Sequence, residues 1–526
     1  MPDTTCQTPN TRENAASRGV ERVKLACRDP VWTEPALRDE RIERLDRFPE
    51  TSQRGEDDRR RYAGTGERDG TIEAGGDEPM RPFEGLGRGS PDAHPFRAQA
   101  FFVGDLLMTG RLLSIGAFAI YDRVRSRVYG TPGQTSSYRP KVAVLIPAYN
   151  EEKVIERTVQ SALDSDYPNL RIIIVDDGSK DKTLEVARRA FAREEATGQV
   201  LILTKPNSGK ADALNFGLQH LRDEEIFVGI DADTVIASDA ISRLVPHFLN
   251  PEVGAVAGNA KVGNRVNLWT RWQALEYVTS QNFERRALNT FGAVSVVPGA
   301  IGAWRVSAVR EAGGYHHDTV AEDADLTMSL LRRGYRVEYE DMALAYTEAP
   351  TNANGLMRQR FRWSFGILQS VWKHRAVFAR KGVLGWIALP NIVIFQILLP
   401  LVSPFIDLGF VVGTLLYVEQ KFFHPDSTDP ASFHKLVLFF LAFLVIDFLA
   451  SGVAFALERR TPETREDIWL LGQVWLQRFA YRQLFSVVLL KTLKRAVEGR
   501  RFAWDKLERT AAVKYVPADR ESVKVP

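Results

Sequence analysis

The chain has 526 residues, of which 44% are apolar, so it is long enough for more than one domain and for a substantial core. Its 69 basic and 66 acidic residues leave a formal charge of only +3, which argues against a general nucleic-acid binder. Both cysteines, Cys6 and Cys27, lie near the amino terminus, so chemistry elsewhere uses neither a thiol nor a cysteine-ligated metal.

The first part of the chain combines a polar tail with one apolar segment. Residues 1–95 are rich in charge, glycine and proline, which is typical of a disordered charged tail, and they contain no apolar stretch of the kind found in cleavable signal peptides. Residues 96–128 are long enough to span a membrane, but Asp105 and Arg111 lie inside their apolar stretch. They therefore predict either a tilted transmembrane helix packed on other helices or an interfacial helix.

From residue 141 onward, strands alternate with helices. The predicted strands are KVAVLIPAYN, RIIIVDDGS, VLILT and EEIFVGIDADT, and the predicted helices between them are EEKVIERTVQSALDSDY, DKTLEVARRAFAREEA and SGKADALNFGLQHL. This alternation predicts a parallel sheet with helices on its faces and a ligand bound beyond the carboxyl ends of its strands.

Polar side chains follow several of these strands. In PAYNEE, Tyr149 can stack on a base and Glu151 can accept its hydrogen bonds, although a plain turn uses the same residues. Asp177 ends the second strand, where it could equally cap a helix. Lys210 lies at a predicted helix start, a position that suits a phosphate, although most exposed lysines are simply solvated.

Asp231 and Asp233 flank Ala232 at the end of the fourth predicted strand. Two carboxylates one residue apart can bind a hard divalent cation, which prefers oxygen ligands and bridges phosphates. A solvated turn is the alternative, because an isolated Asp-x-Asp pattern is a weak signal.

A second acidic cluster, AEDADLT, contains Glu322, Asp323 and Asp325. It can be an acidic helix start, or one of its carboxylates can accept a proton from an attacking hydroxyl. His316 and His317 precede it, and neighbouring histidines do not share a helical face, so we expect no metal site there.

Two further motifs lie on either side of this cluster. VVPGAIGAWR contains Gly299, which permits close backbone approach, and Trp304, which offers a stacking face; a buried strand and turn would look similar. QRFRW, at residues 359–363, places two arginines and a tryptophan before an apolar segment. Its charge alone is compatible with a membrane anchor or with a substrate-binding motif.

The rest of the chain is largely apolar with basic flanks. Residues 384–417 contain several prolines and predict an interfacial helix followed by a kinked transmembrane span, and residues 435–457 predict a second span. Residues 466–492 are more polar, and they are compatible with either a transmembrane span packed against other helices or an interfacial helix. We interpret residues 493–526 as a basic cytoplasmic-type tail.

Taken in order, the motifs resemble family 2 inverting glycosyltransferases of the membrane-embedded, processive type that includes cellulose, chitin, hyaluronan and poly-N-acetylglucosamine synthases. The resemblance covers about residues 140–375 and rests on PAYNEE, VDDGS, NSGKADALN, DAD, VVPGAIGAWR, GGY, AED and QRFRW. It implies an α/β GT-A domain, Rossmann-like and nucleotide-sugar-binding, over residues 138–380, with flanking transmembrane and interfacial helices.

The resemblance also implies roles for the residues at matching positions. The implied groups are Tyr149, Glu151, Asp177 and Lys210 for the nucleotide, Asp231 and Asp233 for Mg2+ or Mn2+, Asp323 as general base with Glu322 beside it, and Gln359, Arg362, Trp363 and Gly299 for the acceptor and diphosphate. Arg360 and Phe361, which occupy the variable positions of the motif, are interpreted as membrane-anchoring or packing residues. Ala321 stands where cellulose synthases commonly have threonine, which weakens an inference to cellulose.

We therefore expect a membrane-bound inverting β-glycosyltransferase that uses a UDP-sugar, with N-acetylglucosamine ahead of glucose, to elongate an extracellular polysaccharide. Two alternatives are a non-processive enzyme with a lipid acceptor and a catalytically inactive membrane scaffold that binds a sugar nucleotide. A nicotinamide-dependent oxidoreductase is set aside, because PAYNEE lacks the glycine-rich turn.

The expected partners are the UDP-sugar donor, the growing polysaccharide or lipid acceptor, and membrane lipid. Accessory export subunits are compatible with this prediction, and nucleic acid is not an expected partner. Basic residues beside the apolar segments predict an integral protein of the inner or plasma membrane with a cytoplasmic catalytic domain.

Overall fold

A computed structural model describes residues 93–129, 138–425, 430–458, 469–498 and 511–513, with side chains of the first helix from residue 106 to 128. The predicted disordered tail therefore lies outside the described residues, apart from positions 93–95. Most of the predicted basic tail, residues 493–526, also lies outside them.

An eight-stranded sheet forms the centre of the α/β domain. Its strands are β1 (Val142–Ala148), β2 (Leu170–Asp176), β3 (Val200–Thr204), β4 (Ile226–Gly229), β5 (Val235–Ile236), β6 (Val253–Val262), β7 (Gly302–Arg305) and β8 (Arg336–Thr347). Their order across the sheet is β3-β2-β1-β4-β7-β6-β8-β5.

The sheet is mixed, whereas the sequence predicted a parallel sheet. The first four strands pair in parallel, with Val142 of β1 opposite Leu170 of β2 and Ile226 of β4. However, β7 is antiparallel to both β4 and β6, and β5 is antiparallel to β8, while β6 and β8 are parallel. The prediction failed at β7 because a strand of four residues that begins with glycine carries little periodic signal.

Helices cover the sheet on two faces. Those of the α/β domain are α2 (Ile155–Leu163), α3 (Thr183–Ala190), α4 (Ala192–Thr197), α5 (Lys210–Gln219), α6 (Ala240–Leu244), α7 (Leu268–Glu276), α8 (Phe283–Asn289), α9 (Val306–Ala312), α10 (Glu322–Arg333) and α11 (Ala353–His374). Successive β1 side chains point to opposite faces of the sheet and belong to two hydrophobic cores. Val144 packs in one core with α2 and α3, whereas Leu145 packs in the other with α5 and α9.

The remaining helices flank this domain. They are α1 (Ala93–Tyr129), α12 (Leu389–Asn391), α13 (Leu399–Phe423), α14 (Pro430–Leu457), α15 (Val474–Phe479) and α16 (Tyr481–Val497). Among the described residues, two helical segments are long and apolar enough to cross a membrane, namely Leu384–Phe423 and Pro430–Leu457. The first has π-helical turns just before Pro390 and Pro400, where the prolines lack a backbone N–H.

Ion pairs connect the polar helices to these apolar segments. Arg478 of α15 pairs with Asp407 of α13, and Arg482 of α16 lies 2.9 Å from Asp447 of α14. Each pair neutralises a charge that would otherwise be costly among apolar helices. The polar character of residues 469–492 therefore reflects packing against the two apolar segments.

Glu284 of α8 joins the α/β domain to the flanking helices. Its carboxylate accepts hydrogen bonds from Arg111 of α1 at 2.9 Å, from Gln396 at 2.7 Å and from Asn391. Glu284 is buried, so three elements that are distant in sequence meet at one interior charge.

A buried histidine stabilises the sheet at β8. His247 lies between Glu338 and Glu340 of β8, at 2.8 Å and 3.0 Å from their carboxylate oxygens. Burial alone would lower the pKa of His247, but its hydrogen bonds to Glu338 and Glu340 raise that pKa to about 10. The imidazolium therefore stabilises the fold fully below its ordinary pKa of 6.5, and this contribution is lost as the pH rises through about 10.

We expect His247→Gln to destabilise the protein near pH 6, by about 3 kcal/mol, because the buried carboxylate of Glu340 and the partly buried carboxylate of Glu338 lose their cation. The difference in unfolding midpoint between wild type and variant should shrink as the pH approaches 10. Thermal unfolding across pH 6 to 10 measures it, with His220→Gln as a control, since His220 contacts the carbonyl oxygen of Phe216 instead of a carboxylate. A difference that is constant with pH would show that His247 is not a buried cation.

Candidate active site

A cavity of about 940 Å3 extends from the carboxyl ends of the parallel strands to the flanking helices. Every residue to which the family resemblance assigned a role lines it: Tyr149, Glu151, Asp177, Lys210, Asp231, Asp233, Gly299, Glu322, Asp323, Gln359, Arg362 and Trp363. Its far end is lined by residues of α14 and α16, including Asp447 and Arg482. These side chains therefore share one continuous space.

Loops after β1 and β2 build one end of the cavity. Tyr149 follows β1 directly, and the buried Glu151 is held by a hydrogen bond that its backbone N–H donates to the hydroxyl of Thr183. The Asp177 carboxylate accepts hydrogen bonds from Lys205 Nζ at 2.7 Å and from the Gly209 N–H at 2.8 Å. Asp177 thus shapes the loop that leads into Lys210, a contact that the sequence did not indicate.

Lys210 is the central cation of the site. Its Nζ lies 2.7 Å from Asp231 Oδ1 and 2.9 Å from Glu322 Oε1. Burial alone would lower the pKa of Lys210, but Asp231, Glu322 and Asp323 raise that pKa well above its usual value. The side chain is therefore a fixed positive charge at the start of α5.

Gly299 fits between these groups because it has no side chain. A Cβ atom at this position would lie 2.6 Å from Lys210 Nζ and 3.1 Å from Asp231 Oδ1. The Gly299 N–H donates to Asp323 Oδ2 at 3.1 Å. Gly299 thus connects the Lys210–Asp231 pair to the carboxylate of Asp323.

Asp323 lies in the first turn of α10 and lines the cavity. The Ala324 N–H donates to its second oxygen at 2.8 Å. Burial and the neighbouring Glu322 carboxylate raise the pKa of Asp323 to about 6, although Lys210 acts in the opposite direction. A carboxylate with this pKa is ionised at neutral pH and is a better proton acceptor than an ordinary aspartate.

Asp231 and Asp233 suit a divalent cation that also binds a diphosphate. Both carboxylates line the cavity, and the hydroxyl of Thr347 at the end of β8 donates to Asp233 at 3.4 Å. Among the described residues, no group of three or more His, Cys, Asp or Glu side chains is placed to hold a metal. Magnesium is commonly bound by one or two carboxylates together with substrate phosphates, so this pair fits Mg2+ or Mn2+.

The QRFRW motif lies on α11. Gln359 is buried, and its Oε1 has no hydrogen-bond partner among the described residues, whereas Arg362 and Trp363 are partly exposed to the cavity. Arg360 is only 4% exposed and lies 2.7 Å from Glu276, so the membrane-anchor interpretation of Arg360 is wrong and the packing interpretation is correct. Phe361 stacks on Phe365.

Helix α11 lies directly against the loop that carries the acidic cluster. A Cβ atom on Gly366 would lie 2.4 Å from Cβ of Ala321, so only glycine permits this contact. The QRFRW motif on α11 and the acidic residues at the start of α10 are therefore held in fixed register.

Other residues differ from their sequence-based interpretation. Trp304 is buried, stacks on Phe227 and contacts Tyr315 edge-on, so it has no face open to a sugar. Asp325 is fully buried and accepts hydrogen bonds from Lys373 and His374, which gives it a structural role.

The sequence analysis also missed residues that line the cavity. Glu276, Arg285 and Tyr481 all do so, yet they lie outside the motifs. No local pattern indicated them, because their positions depend on how α7, α8 and α16 pack.

The mixed sheet, with a cavity at the ends of its parallel strands, is a GT-A-like fold. Residues 140–366 match the family described as glycosyltransferase like family 2.

Proteins of two staphylococci are similar to this chain, and both are named poly-beta-1,6-N-acetyl-D-glucosamine synthase. The Staphylococcus aureus protein is 32% identical over 226 residues, which are 43% of this chain and 54% of that protein. The Staphylococcus epidermidis protein is 31% identical over 236 residues, which are 44% of this chain and 56% of that protein. The chain thus spans about half the length of these curated relatives.

A solved structure is also similar to this chain. It is a mannosyltransferase from Pyrobaculum calidifontis in complex with GDP-mannose and Mn2+, with 19% identity and a TM-score of 0.46. The similarity covers 78% of this chain and 99% of that one.

Proposed function

We propose that the protein is a membrane-bound inverting β-glycosyltransferase that transfers a sugar from a UDP-sugar to a growing polysaccharide. The observation that carries this proposal is the continuous cavity, which joins Lys210, Asp231 and Asp323 to Trp363 and then to the flanking helices. An enzyme that adds a single sugar to a small soluble acceptor would not need such a continuation.

The transfer is a single displacement at the anomeric carbon. The acceptor hydroxyl oxygen forms the new bond to this carbon while the bond to the diphosphate oxygen breaks, and the leaving diphosphate takes the electron pair. Asp323 accepts the hydroxyl proton, which its raised pKa favours. One displacement inverts the anomeric centre, so an α-linked donor gives a β-linked product.

Cationic groups stabilise the leaving diphosphate. Lys210 supplies one fixed charge, and Arg362 can pair with phosphate oxygens through its planar guanidinium group. Mg2+ or Mn2+ held by Asp231 and Asp233 would neutralise further negative charge on the diphosphate. Tyr149, Glu151 and Asp177 lie where the uridine would bind, beyond the carboxyl ends of β1 and β2.

The flanking helices support a polymeric, exported product. Two apolar segments suit an integral membrane protein, and Asp447 and Arg482 give the adjoining end of the cavity polar walls. Such walls can donate hydrogen bonds to sugar hydroxyls and accept hydrogen bonds from them. These interactions favour the passage of a saccharide away from a cytoplasmic active site. The growing chain and membrane lipid are then partners, and accessory export subunits are compatible with this arrangement.

The similar staphylococcal proteins favour N-acetylglucosamine over glucose as the transferred sugar, because both are named synthases of its polymer. A non-processive enzyme acting on a lipid acceptor is the second candidate. The exposed apolar surface of α13 favours it, since this surface would bring lipid close to the cavity.

The proposal predicts a large polymer from UDP-N-acetylglucosamine. Membranes containing the protein are incubated with radiolabelled UDP-N-acetylglucosamine or UDP-glucose, with Mg2+ or Mn2+, and without added lipid acceptor. We expect labelled product that elutes at high mass by size-exclusion chromatography, chiefly from the N-acetylglucosamine donor, and loss of that product when EDTA removes the metal.

Each other outcome contradicts a defined part of the proposal. A product limited to one sugar on an extractable lipid would support the lipid-acceptor enzyme. Binding of UDP-sugar without transfer to any acceptor would indicate a sugar-nucleotide-binding scaffold.

A further inference from the structure

Arg360 lies against Trp363 within the same helix, at the wall of the cavity. The central carbon of its guanidinium group is 4.2 Å from the centroid of the Trp363 ring. A cation at this distance over an indole face is attracted by the ring electrons, and a guanidinium group can also stack flat on the ring. One face of Trp363 is therefore covered by a side chain of the protein itself.

Other side chains fix Arg360 in this position. Its Nη2 lies 2.7 Å from Glu276 Oε2, and the hydroxyl of Tyr481 donates to the same oxygen at 2.6 Å. Arg360 also lies 5.4 Å from the Phe485 ring centroid. Three helices, α7, α11 and α16, thus hold one guanidinium group.

The surroundings suit a positioning role better than direct substrate contact. Nε and Nη1 of Arg360 are buried, with no hydrogen-bond partner among the described residues, and the residue is only 4% exposed. By contrast, Trp363 is partly exposed and lines the cavity. The atoms that can touch a saccharide therefore belong to Trp363, and the atoms that restrict its ring belong to Arg360.

We propose that Arg360, held by Glu276 and Tyr481, fixes the ring plane of Trp363 so that the acceptor saccharide stacks on it. This inference rests on the proposed function, because it assigns the acceptor end of that site. A ring that is already oriented loses less conformational freedom when the sugar binds, so Arg360 sets acceptor affinity without touching the acceptor.

Arg360→Lys separates this role from simple charge neutralisation. Lysine keeps a positive charge that can pair with Glu276, but its compact ammonium group does not stack flat on an indole ring. Tyr481→Phe is a weaker change in the same direction, because it removes one of the two donors to Glu276 while keeping the aromatic ring.

The chain offers a matched control. Arg375, directly after the last residue of the same helix, lies 4.3 Å from the ring of Trp372, and both residues are exposed and do not line the cavity. Arg375→Lys therefore makes the same chemical change in the same kind of stacked pair, away from the site.

The test uses the full-length protein purified in detergent and measures binding and transfer separately. Binding of a short β-linked N-acetylglucosamine oligosaccharide is followed by tryptophan fluorescence, binding of UDP by calorimetry, and transfer by initial rates with the oligosaccharide as acceptor. We expect Arg360→Lys to weaken oligosaccharide binding and raise the acceptor KM by about tenfold, with UDP affinity retained and a smaller change in kcat. Tyr481→Phe should change the same quantities less, and Arg375→Lys should match the wild type.

Three results would overturn the inference. These are wild-type oligosaccharide affinity in Arg360→Lys, a parallel loss of UDP and oligosaccharide binding that marks a general structural defect, and a wild-type protein that binds no oligosaccharide. If the wild type binds the oligosaccharide but transfers no sugar to it, the proposed function fails, while the role of Arg360 is still decided by the binding measurements.

Discussion

Asp323→Asn should reduce sugar transfer by about 10²- to 10⁴-fold, the range that a positioned general base contributes. Asparagine has nearly the same shape and can still accept a hydrogen bond from Gly299, so the site should remain folded. It cannot take the proton from the acceptor hydroxyl. Initial rates at saturating donor measure the effect, and UDP affinity should change little.

The pH dependence of the wild type offers a second readout of the same residue. Because the pKa of Asp323 is about 6, kcat/KM should fall as the pH decreases below that value and Asp323 becomes protonated. Asp318→Asn is the matched control, since Asp318 is an exposed acid in the adjoining loop that pairs with Lys373. Full turnover by Asp323→Asn would exclude Asp323 as the base.

Lys210→Met should lower transfer by about 10²- to 10³-fold, because a fixed cation that stabilises the leaving diphosphate is lost. The same substitution should strengthen binding of Mn2+ to the nucleotide-free protein. Lys210 pairs with Asp231 and Glu322, and its removal leaves their negative charge uncompensated. The two expected effects therefore have opposite signs, which distinguishes them from general damage.

Initial rates of sugar transfer measure the first effect. Calorimetric titration with Mn2+ measures the second, and a titration with UDP checks that the nucleotide still binds. Lys141→Met removes an exposed ion pair with Asp223, outside the cavity, and should change neither affinity. Unchanged or weaker Mn2+ binding in Lys210→Met would show that Lys210 does not compete with the cation for Asp231.

The strand-end residues could be predicted from the sequence because their positions follow from local patterns. Hydrophobic strands followed by polar loops place Tyr149, Asp177 and Asp231 at the same edge of a sheet when the strands are parallel, and β1, β2 and β4 are parallel neighbours. The order of the motifs supplied the remaining site residues, all of which line one cavity.

Long-range partners could not be predicted in this way. Arg360 and Glu276 are 84 residues apart, and Tyr481 and Glu276 are 205 residues apart, so no local spacing relates them. The prediction that Trp304 offers a stacking face was wrong for a related reason. An aromatic side chain on a short strand can face either a ligand or the core. The packing of Phe227 and Tyr315 decides which.

The junction at Glu284 limits how such a protein can evolve. A catalytic domain joined by recombination to the flanking helices of another protein would keep Glu284 in its interior but lose Arg111, Asn391 and Gln396, which donate to it. A buried carboxylate without its partners is strongly destabilising. Compatible helices must therefore preserve these donors or change together with Glu284, so the catalytic domain and its helices are expected to be inherited as one unit.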